Sequence, residues 1–402
     1  MAARRSRKLY IYSKMKLNLQ TVALLSAALL SCTPRQIDVP DTATALRTAS
    51  VQLNAAGAEW FDAKCFPRSY GNGEYLEMPF TDWTSGFFPG CLWLTFAMTG
   101  DDELASLARH YTEKLSDVPA MTSTHDLGFM VMPSFGLEYT ITGDETAKAA
   151  VIKAARSLAG RFNDRIGLIR SWDFGDWNYP VIIDNMMNLE LLFTAAEWTG
   201  ETAFSDIAVR HADRTMENHF RSDNSSWHVV SYNDDGSVES KSTWQGCADD
   251  SRWARGQAWG LYGYTVCYRF TREPRYLEQA KKIAALVTGL PDMPEDKIPY
   301  WDYDAPGIPA AARDASAAAV TASALLELQG MVDPVLGAEY RAYAEDMLRS
   351  LCSENYLAAP GTNGNFILMH STGAAPFDSE IDCALCYADY YFLEAIQRYK
   401  AI

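Results

Sequence analysis

The sequence predicts an all-α protein, an (α/α)6 barrel in which six helical hairpins close into a toroid. Three observations predict it. One turn signal recurs through residues 50–402, as "AMTGDDEL", "TITGDETA", "EWTGETAF", "RFTREPRY" and "ELQGMVDP". The stretch before each turn is apolar nearly all round, as a helix buried on both sides must be, whereas the stretch after it, such as "DETAKAAVIKAARSLAGRF", keeps a polar face. The chain also ends on "IDCALCYADYYFLEAIQRY", whose composition is that of another inner helix. The same repeats would build an open solenoid; pairing of the two chain ends is what favours a ring.

The elements follow in order. Residues 1–31 carry Arg4, Arg5, Arg7, Lys8, Lys14 and Lys16 ahead of the apolar run "TVALLSAALLS", which is too short to span a bilayer as a stable helix. "LLSC" resembles a lipobox, so 1–31 is expected to be a lipoprotein signal peptide and Cys32 the lipidated first residue of an exported protein. The anchor then sits in a bacterial envelope, at the periplasm or outer membrane, and lipid is its only membrane contact. Met15 opens "MKLNLQ", a more usual start than the residues before it. Residues 32–402 are expected to form the single catalytic ring. Its first segment, Thr42 to Lys64, is the natural outer partner for the C-terminal helix; five hairpins follow, and the C-terminal helix completes the sixth.

Charge narrows the function. Six of the 35 basic side chains and none of the 51 acidic ones precede Cys32, so the rest carries a formal charge of −22. Binding of nucleic acid through a basic face is excluded on that balance. An anionic substrate would need a few placed cations. Cys65, Cys91, Cys247, Cys267, Cys352, Cys383 and Cys386 are odd in number and sit mostly in apolar sequence, so free thiols are expected rather than a disulfide framework. The CxxC of Cys383 and Cys386 has no second pair, and Asp249 and Asp250 have no His or Cys at ligand spacing, so no metal site is expected. His110, His211 and His219 fall on outer-type helices and are expected at the surface. No signal sets an oligomeric state.

Aligning the hairpins on Thr99, Thr142, Thr199, Thr271 and Gln329 and counting back 15 or 16 residues reaches Trp83, Asp126, Asp184, Arg255 and Asp314. In a ring these positions share one rim, at the N-terminal ends of the inner helices. An Asp there is ordinarily a helix cap, but Trp and Arg are not cap residues, so capping does not explain the set. Two carboxylates on neighbouring helices repel, and one of them then holds its proton nearer neutrality, as a general acid requires. Beside them, "WHVVSYNDDGSVESKSTWQGCADDSRWARGQAW" gathers His228, Lys241, Thr243, Gln245, Trp253, Arg255, Gln257 and Trp259. Indole faces stack on sugar rings, amides and hydroxyls bond to sugar hydroxyls, and Arg pairs with a carboxylate. The mouth reads as a carbohydrate site.

"WTSGFFPGCLWL", "THDLGF", "IIDNMMNLELLF", "DDSRWARGQAWGLYG" and "YADYYFLEAI" together resemble the unsaturated glucuronyl hydrolases of glycoside hydrolase family 88 over essentially the whole chain after the leader. The resemblance implies an (α/α)6 barrel with no metal or organic cofactor, acting on lyase-generated oligosaccharides that end in a 4,5-unsaturated uronic acid. It implies that Asp184 protonates C4 and then draws a proton from the water adding at C5, with Asp126 as its partner. Trp83, His125, His228, Thr243, Gln245, Trp253, Arg255 and Trp259 match pocket positions of the family. Lys241 and "CALCYADYY" depart from its pattern, which bears on substrate preference and on sulfate. The competing expectations are an unsaturated rhamnogalacturonyl hydrolase on pectin fragments, against which "HDLGF" argues, and a non-catalytic glycan-binding lipoprotein, which would not need both aspartates.

Overall fold

The recurrent turn is built from three residues with three separate tasks. Thr99, Thr142, Thr199 and Thr271 each turn the hydroxyl back onto the carbonyl four residues earlier, at 2.7–2.8 Å. The same oxygens accept from the N–H two residues on, at 3.1–3.4 Å. Gly100, Gly143 and Gly200 then take φ of 74°, 75° and 77°, a left-handed turn that ends a helix without a Cβ penalty. Asp101 and Asp144 cap the outgoing helices by accepting from backbone N–H groups.

The structure, a computed structural model, describes residues 39–402; the leader 1–31 and Cys32 lie outside the described residues. Helix α1 (Thr42–Glu59) leads into the hairpin of β1 (Cys65–Gly71) and β2 (Glu74–Pro79). The first helical hairpin is α2 (Phe87–Thr99) and α3 (Asp102–Glu113). The second inner helix is broken into α4 (Leu127–Val131) and α5 (Leu137–Thr142) by a wide turn over Met132–Gly136, where Pro133 has no N–H to continue the ladder; α6 (Glu145–Ala159) returns outside. Short strands β3 (Phe162–Asn163), β4 (Leu168–Ile169) and β5 (Pro180–Ile182) precede α7 (Asn185–Thr199) and α8 (Thr202–Asn218). Strands β6 (Val229–Tyr232) and β7 (Val238–Ser242) precede α9 (Ala254–Thr271) and α10 (Pro274–Thr288). Then come α11 (Ala315–Leu328), α12 (Pro334–Leu351), β8 (Ala384–Leu385) and α13 (Cys386–Lys400).

The inner helices close a ring: α2 meets α4–α5, which meets α7, then α9, α11 and α13, and α13 returns to α2. This is an (α/α)6 barrel, not an open solenoid. Helix α1 takes an outer place but packs chiefly on α2 and α3, beside the first hairpin, rather than against the C-terminal helix expected as its partner. Inner helix α9 is buried continuously from Ala254 to Cys267, while outer α3 buries only Leu104, Leu107, Ala108, Tyr111 and Thr112. That contrast is the one the sequence predicts. Among the described residues no helix is long and apolar enough to cross a membrane.

Two antiparallel sheets, ordered β2-β1-β8 and β5-β6-β7, run into the N-termini of α13 and α7 and so build up the rim. A third element, the β3-β4 hairpin, corrects an expectation. It covers α8, and Ile169 N–H donates to His211 Nδ1 at 3.0 Å, so His211 is fully buried. His219, at the end of α8, is also fully buried; His110 alone of the three stays partly exposed, stacked on Phe61. Cys383 lies in the loop before α13 and Cys386 begins that helix, so the CxxC is not carried within one helix. All seven described cysteines are free thiols.

Candidate active site

Three aspartates stand at the starts of inner helices, and only one of them is a cap. Asp314, ahead of α11, accepts from Ser316 N–H at 3.0 Å and from its hydroxyl at 2.5 Å. Asp126 and Asp184 stand at the same place on α4 and α7 and make no side-chain cap bond. Their carboxylates are left to face a cavity of about 410 Å³. What brings them together is Gly128: a Cβ there would stand 2.6 Å from the Asn188 Cα, so only glycine lets α4 lie on α7. Asn188 seals the contact by accepting from Phe129 N–H at 2.9 Å and donating to the Asp184 carbonyl at 3.3 Å. The motifs "HDLGF" and "DNMMN" are the two halves of that junction.

Asp184 is 7% exposed, and burial first, then the neighbouring Asp126 charge, push its carboxyl up to about 7. Arg255 and the Trp259 indole oppose the rise without cancelling it. Its Oδ2 is buried and hydrogen-bonded to nothing, with His228 Nε2 3.7 Å away. Oδ1 is therefore the oxygen presented to the cavity. His228 is held neutral, lowered to about 3 by burial and by Arg255. Its Nδ1 accepts from the N–H groups of Trp244 and Gln245 at 3.1 and 3.2 Å, which places the remaining proton on Nε2, directed at Asp184.

His125 carries the opposite tautomer. Its Nδ1 lies 3.1 Å from the Ser171 carbonyl, to which it can only donate, so the neutral ring turns a lone pair on Nε2 toward Asp126 Oδ1 at 3.2 Å. Burial lowers its proton affinity, against the pull of Asp126. Thr124 Oγ1 fixes the other oxygen of Asp126 at 2.8 Å. A proton on either atom would turn that contact into a hydrogen bond; His125 Nε2 is buried and has no other partner. Ser171 links the two aspartate neighbourhoods: its hydroxyl donates to Asn185 Oδ1 at 2.6 Å and accepts from Ile182 N–H at 2.9 Å.

Of the residues singled out in the sequence, Trp83, His125, Asp126, Asp184, Gln245 and Arg255 border the cavity. His228, Trp253 and Trp259 are buried and do not border it, and Thr243, partly exposed, lies 3.4 Å from His228 Nδ1. Trp253 and Trp259 are 3% and 0% exposed, so neither offers a free face to a sugar; Trp253 instead packs on His228 at 4.5 Å between ring centres. Lys241, on β7, sets its ammonium over the Trp227 ring and does not border the cavity, which corrects its assignment as a binding residue. Asp314 does not converge on the mouth either. It is fully buried and pairs with Arg255 at 2.7 Å, so Arg255 is not the unpaired cation its rim position suggests. Arg255 also donates to the Thr372 and Gly373 carbonyls at 2.7 and 2.6 Å, which commits three of its five N–H groups.

Sequence reasoning missed Arg68, Asp82, Trp172, Asp173, Phe174, Trp244 and Phe377, all of which border the cavity. Trp172 stacks on Phe174 at 5.1 Å and 20°. The run "SWDFGDW", just before the helix that carries Asp184, was the available signal.

The profile of Glycosyl Hydrolase Family 88 matches residues 63–401. An unsaturated glucuronyl hydrolase of Formosa agariphila is 45% identical over 342 residues, covering 84% of this chain and 85% of that one. A solved unsaturated glucuronyl hydrolase specific for heparin superposes with a TM-score of 0.87 at 47% identity, covering 89% of this chain and 97% of that one. A mutant unsaturated glucuronyl hydrolase from Streptococcus agalactiae, complexed with dGlcA-GalNAc6S, superposes with a TM-score of 0.76 at 32% identity, covering 89% and 91%. With a barrel closed around two uncapped aspartates and a profile match over most of its length, the chain belongs to glycoside hydrolase family 88.

Proposed function

We propose that this protein releases the 4,5-unsaturated uronic acid from the non-reducing end of lyase-generated oligosaccharides. The observation that carries the reading is Asp184, a buried carboxyl held near 7 beside a second carboxylate. Protonated Oδ1 delivers its proton to C4 of the C4=C5 enol ether, and positive charge develops on C5 and the ring oxygen. The carboxylate so formed takes a proton from the water that adds to C5, which returns Asp184 to its starting state. The resulting hemiketal opens to a C5 ketone, and the hemiacetal left at C1 breaks down to an aldehyde and the remaining sugar. Since C1 is never attacked, carboxylate separation sets no anomeric outcome.

The other side chains position. The His228 ring faces the buried Asp184 Oδ2 across 3.7 Å, which leaves Oδ1 as the oxygen that exchanges the proton with the cavity. Asp126 accepts a sugar hydroxyl, with the buried His125 ring behind it. The two N–H groups Arg255 has uncommitted are available to the uronate carboxylate. A non-catalytic binding protein would gain nothing from a carboxyl poised near neutrality, and membership of the glucuronyl family favours this reading over pectin fragments.

The test is absorbance of the enol ether band with a panel of lyase-generated disaccharides: loss of the band with release of the second sugar is expected, and an unchanged band with every substrate contradicts the reading. Asp184 acts in its protonated form, which is populated below about 7 and lost above it. We expect kcat/KM to fall about tenfold per pH unit above that point; a flat profile to pH 9 would remove Asp184 as the acid.

We further propose that the chain is exported and lipid-anchored through Cys32, a reading supported by the basic leader, the short apolar run and "LLSC". Cys32→Ala should leave the leader uncleaved and the protein without a lipid-shifted mass. Normal processing and membrane association of that variant would refute the anchor.

A further inference from the structure

Resting on that activity, we infer that the sugar adjoining the unsaturated uronate, the one released, is a neutral residue without sulfate, laid against the aromatic rim of the cavity. Two independent features carry this.

The first is the charge lining the cavity. Among the described residues that border it, the cations are Arg68 and Arg255, the carboxylates Asp82, Asp126, Asp173 and Asp184, and none is a lysine. Both cations are matched. Arg68 holds Glu380 through two parallel bonds of 3.0 and 2.7 Å and lies 3.6 Å from Asp82. Arg255 holds Asp314. The two N–H groups Arg255 retains suffice for the one carboxylate that every substrate brings. A second anion would meet carboxylates with no unmatched cation among the residues bordering the cavity. Desolvating a sulfate without a partner is unfavourable, and the −22 balance after the leader adds repulsion on approach.

The second feature is the rim. Phe174, Trp244 and Phe377 are 52%, 37% and 48% exposed, at the edge of an otherwise buried site. Trp244 stands 4.7 Å from Phe377 and 6.0 Å from Phe174 between ring centres, a continuous aromatic edge rather than scattered side chains. Such faces stack on the C–H face of a pyranose. Gln245, whose amide donates to the Gly373 carbonyl at 3.1 Å, joins the Trp244 loop to the loop that carries Phe377. The relative from Streptococcus agalactiae, at 32% identity, was complexed with a disaccharide whose second sugar bears a 6-sulfate; the paired cations of this chain argue for the unsulfated member.

The experiment compares kcat/KM for matched disaccharides, unsaturated uronate joined to N-acetylhexosamine with and without sulfate on the hexosamine, at low and at physiological salt. The unsulfated member should be favoured at least tenfold, and the ratio should shrink as salt rises, because screening weakens the repulsion. Phe377→Lys, which places a cation at the rim without touching the aspartates, should narrow the ratio by raising turnover of the sulfated member. Equal or better turnover of the sulfated member by the wild type overturns the inference while leaving the activity intact. Turnover of other unsaturated disaccharides but of neither member overturns the inference alone; turnover of no unsaturated disaccharide at all overturns it together with the activity it rests on.

Discussion

Asp184→Asn should lower kcat by about two to four orders of magnitude, the usual contribution of a positioned proton donor, while the protein keeps or gains stability. The gain follows from linkage. In the folded state the Asp184 carboxyl is raised to about 7 from its ordinary 3.8, so between those values the native protein binds more protons than the unfolded chain. Its stability therefore falls as pH rises through that window. Asparagine removes both the cost of burying the charge and the repulsion from Asp126. The melting temperature of the variant should equal that of the wild type near pH 4 and exceed it near pH 8. Activity within tenfold of wild type would show that the proton comes from elsewhere.

Arg255→Ala should have the largest effect on stability. The residue pairs with Asp314, both are fully buried, and Asp314 also caps α11 and meets the Thr372 N–H at 3.5 Å. Removing one partner of a buried pair leaves an uncompensated charge, a loss of about 3–5 kcal/mol. Arg255 also draws down the proton affinity of Asp184, so in the variant the alkaline limb of activity should move up. Arg255→Ala with Asp314→Asn separates the causes. Asparagine still caps the helix but carries no charge, so the double variant should melt well above the single one and still bind substrate poorly. If the two melt together, the uncompensated charge is not the cause.

The rim was legible because it follows from counting. Counting 15 or 16 residues back from each recurrent turn reaches the start of an inner helix, and helical rise brings those starts to about one level. That alone brought Trp83, Asp126, Asp184 and Arg255 to one cavity. Which aspartate caps its helix was not legible. Asp314 and Asp184 occupy equivalent positions, and the difference lies in backbone angles, φ −130° and ψ 91° at Asp314 against φ −61° and ψ −24° at Asp184. Nor was the pairing of Arg255, which joins residues 59 apart in sequence.

The aromatic edge was missed for a related reason. Trp172, Phe174 and Phe377 lie in loops that have no hydrophobic period, so nothing in their spacing shows which way they face. His211 and His219 were misplaced because an outer helix was assumed to face water, whereas the β3-β4 hairpin lies over α8. Indole content alone misled as well: Trp253 and Trp259 serve the packing around His228 and Asp184, and the exposed aromatic faces belong to other residues.

The most direct measurement runs the reaction in deuterium oxide and follows the earliest product by nuclear magnetic resonance. If Asp184 protonates C4 and water adds at C5, the first species released is the open-chain ketone with one deuterium at C4, delivered to a single face. Its formation should also be slowed by a primary isotope effect that disappears together with activity in Asp184→Asn. Release of a uronic acid with its C4=C5 bond intact, taking up deuterium later on both faces, would mean that water attacks C1 and would contradict the account.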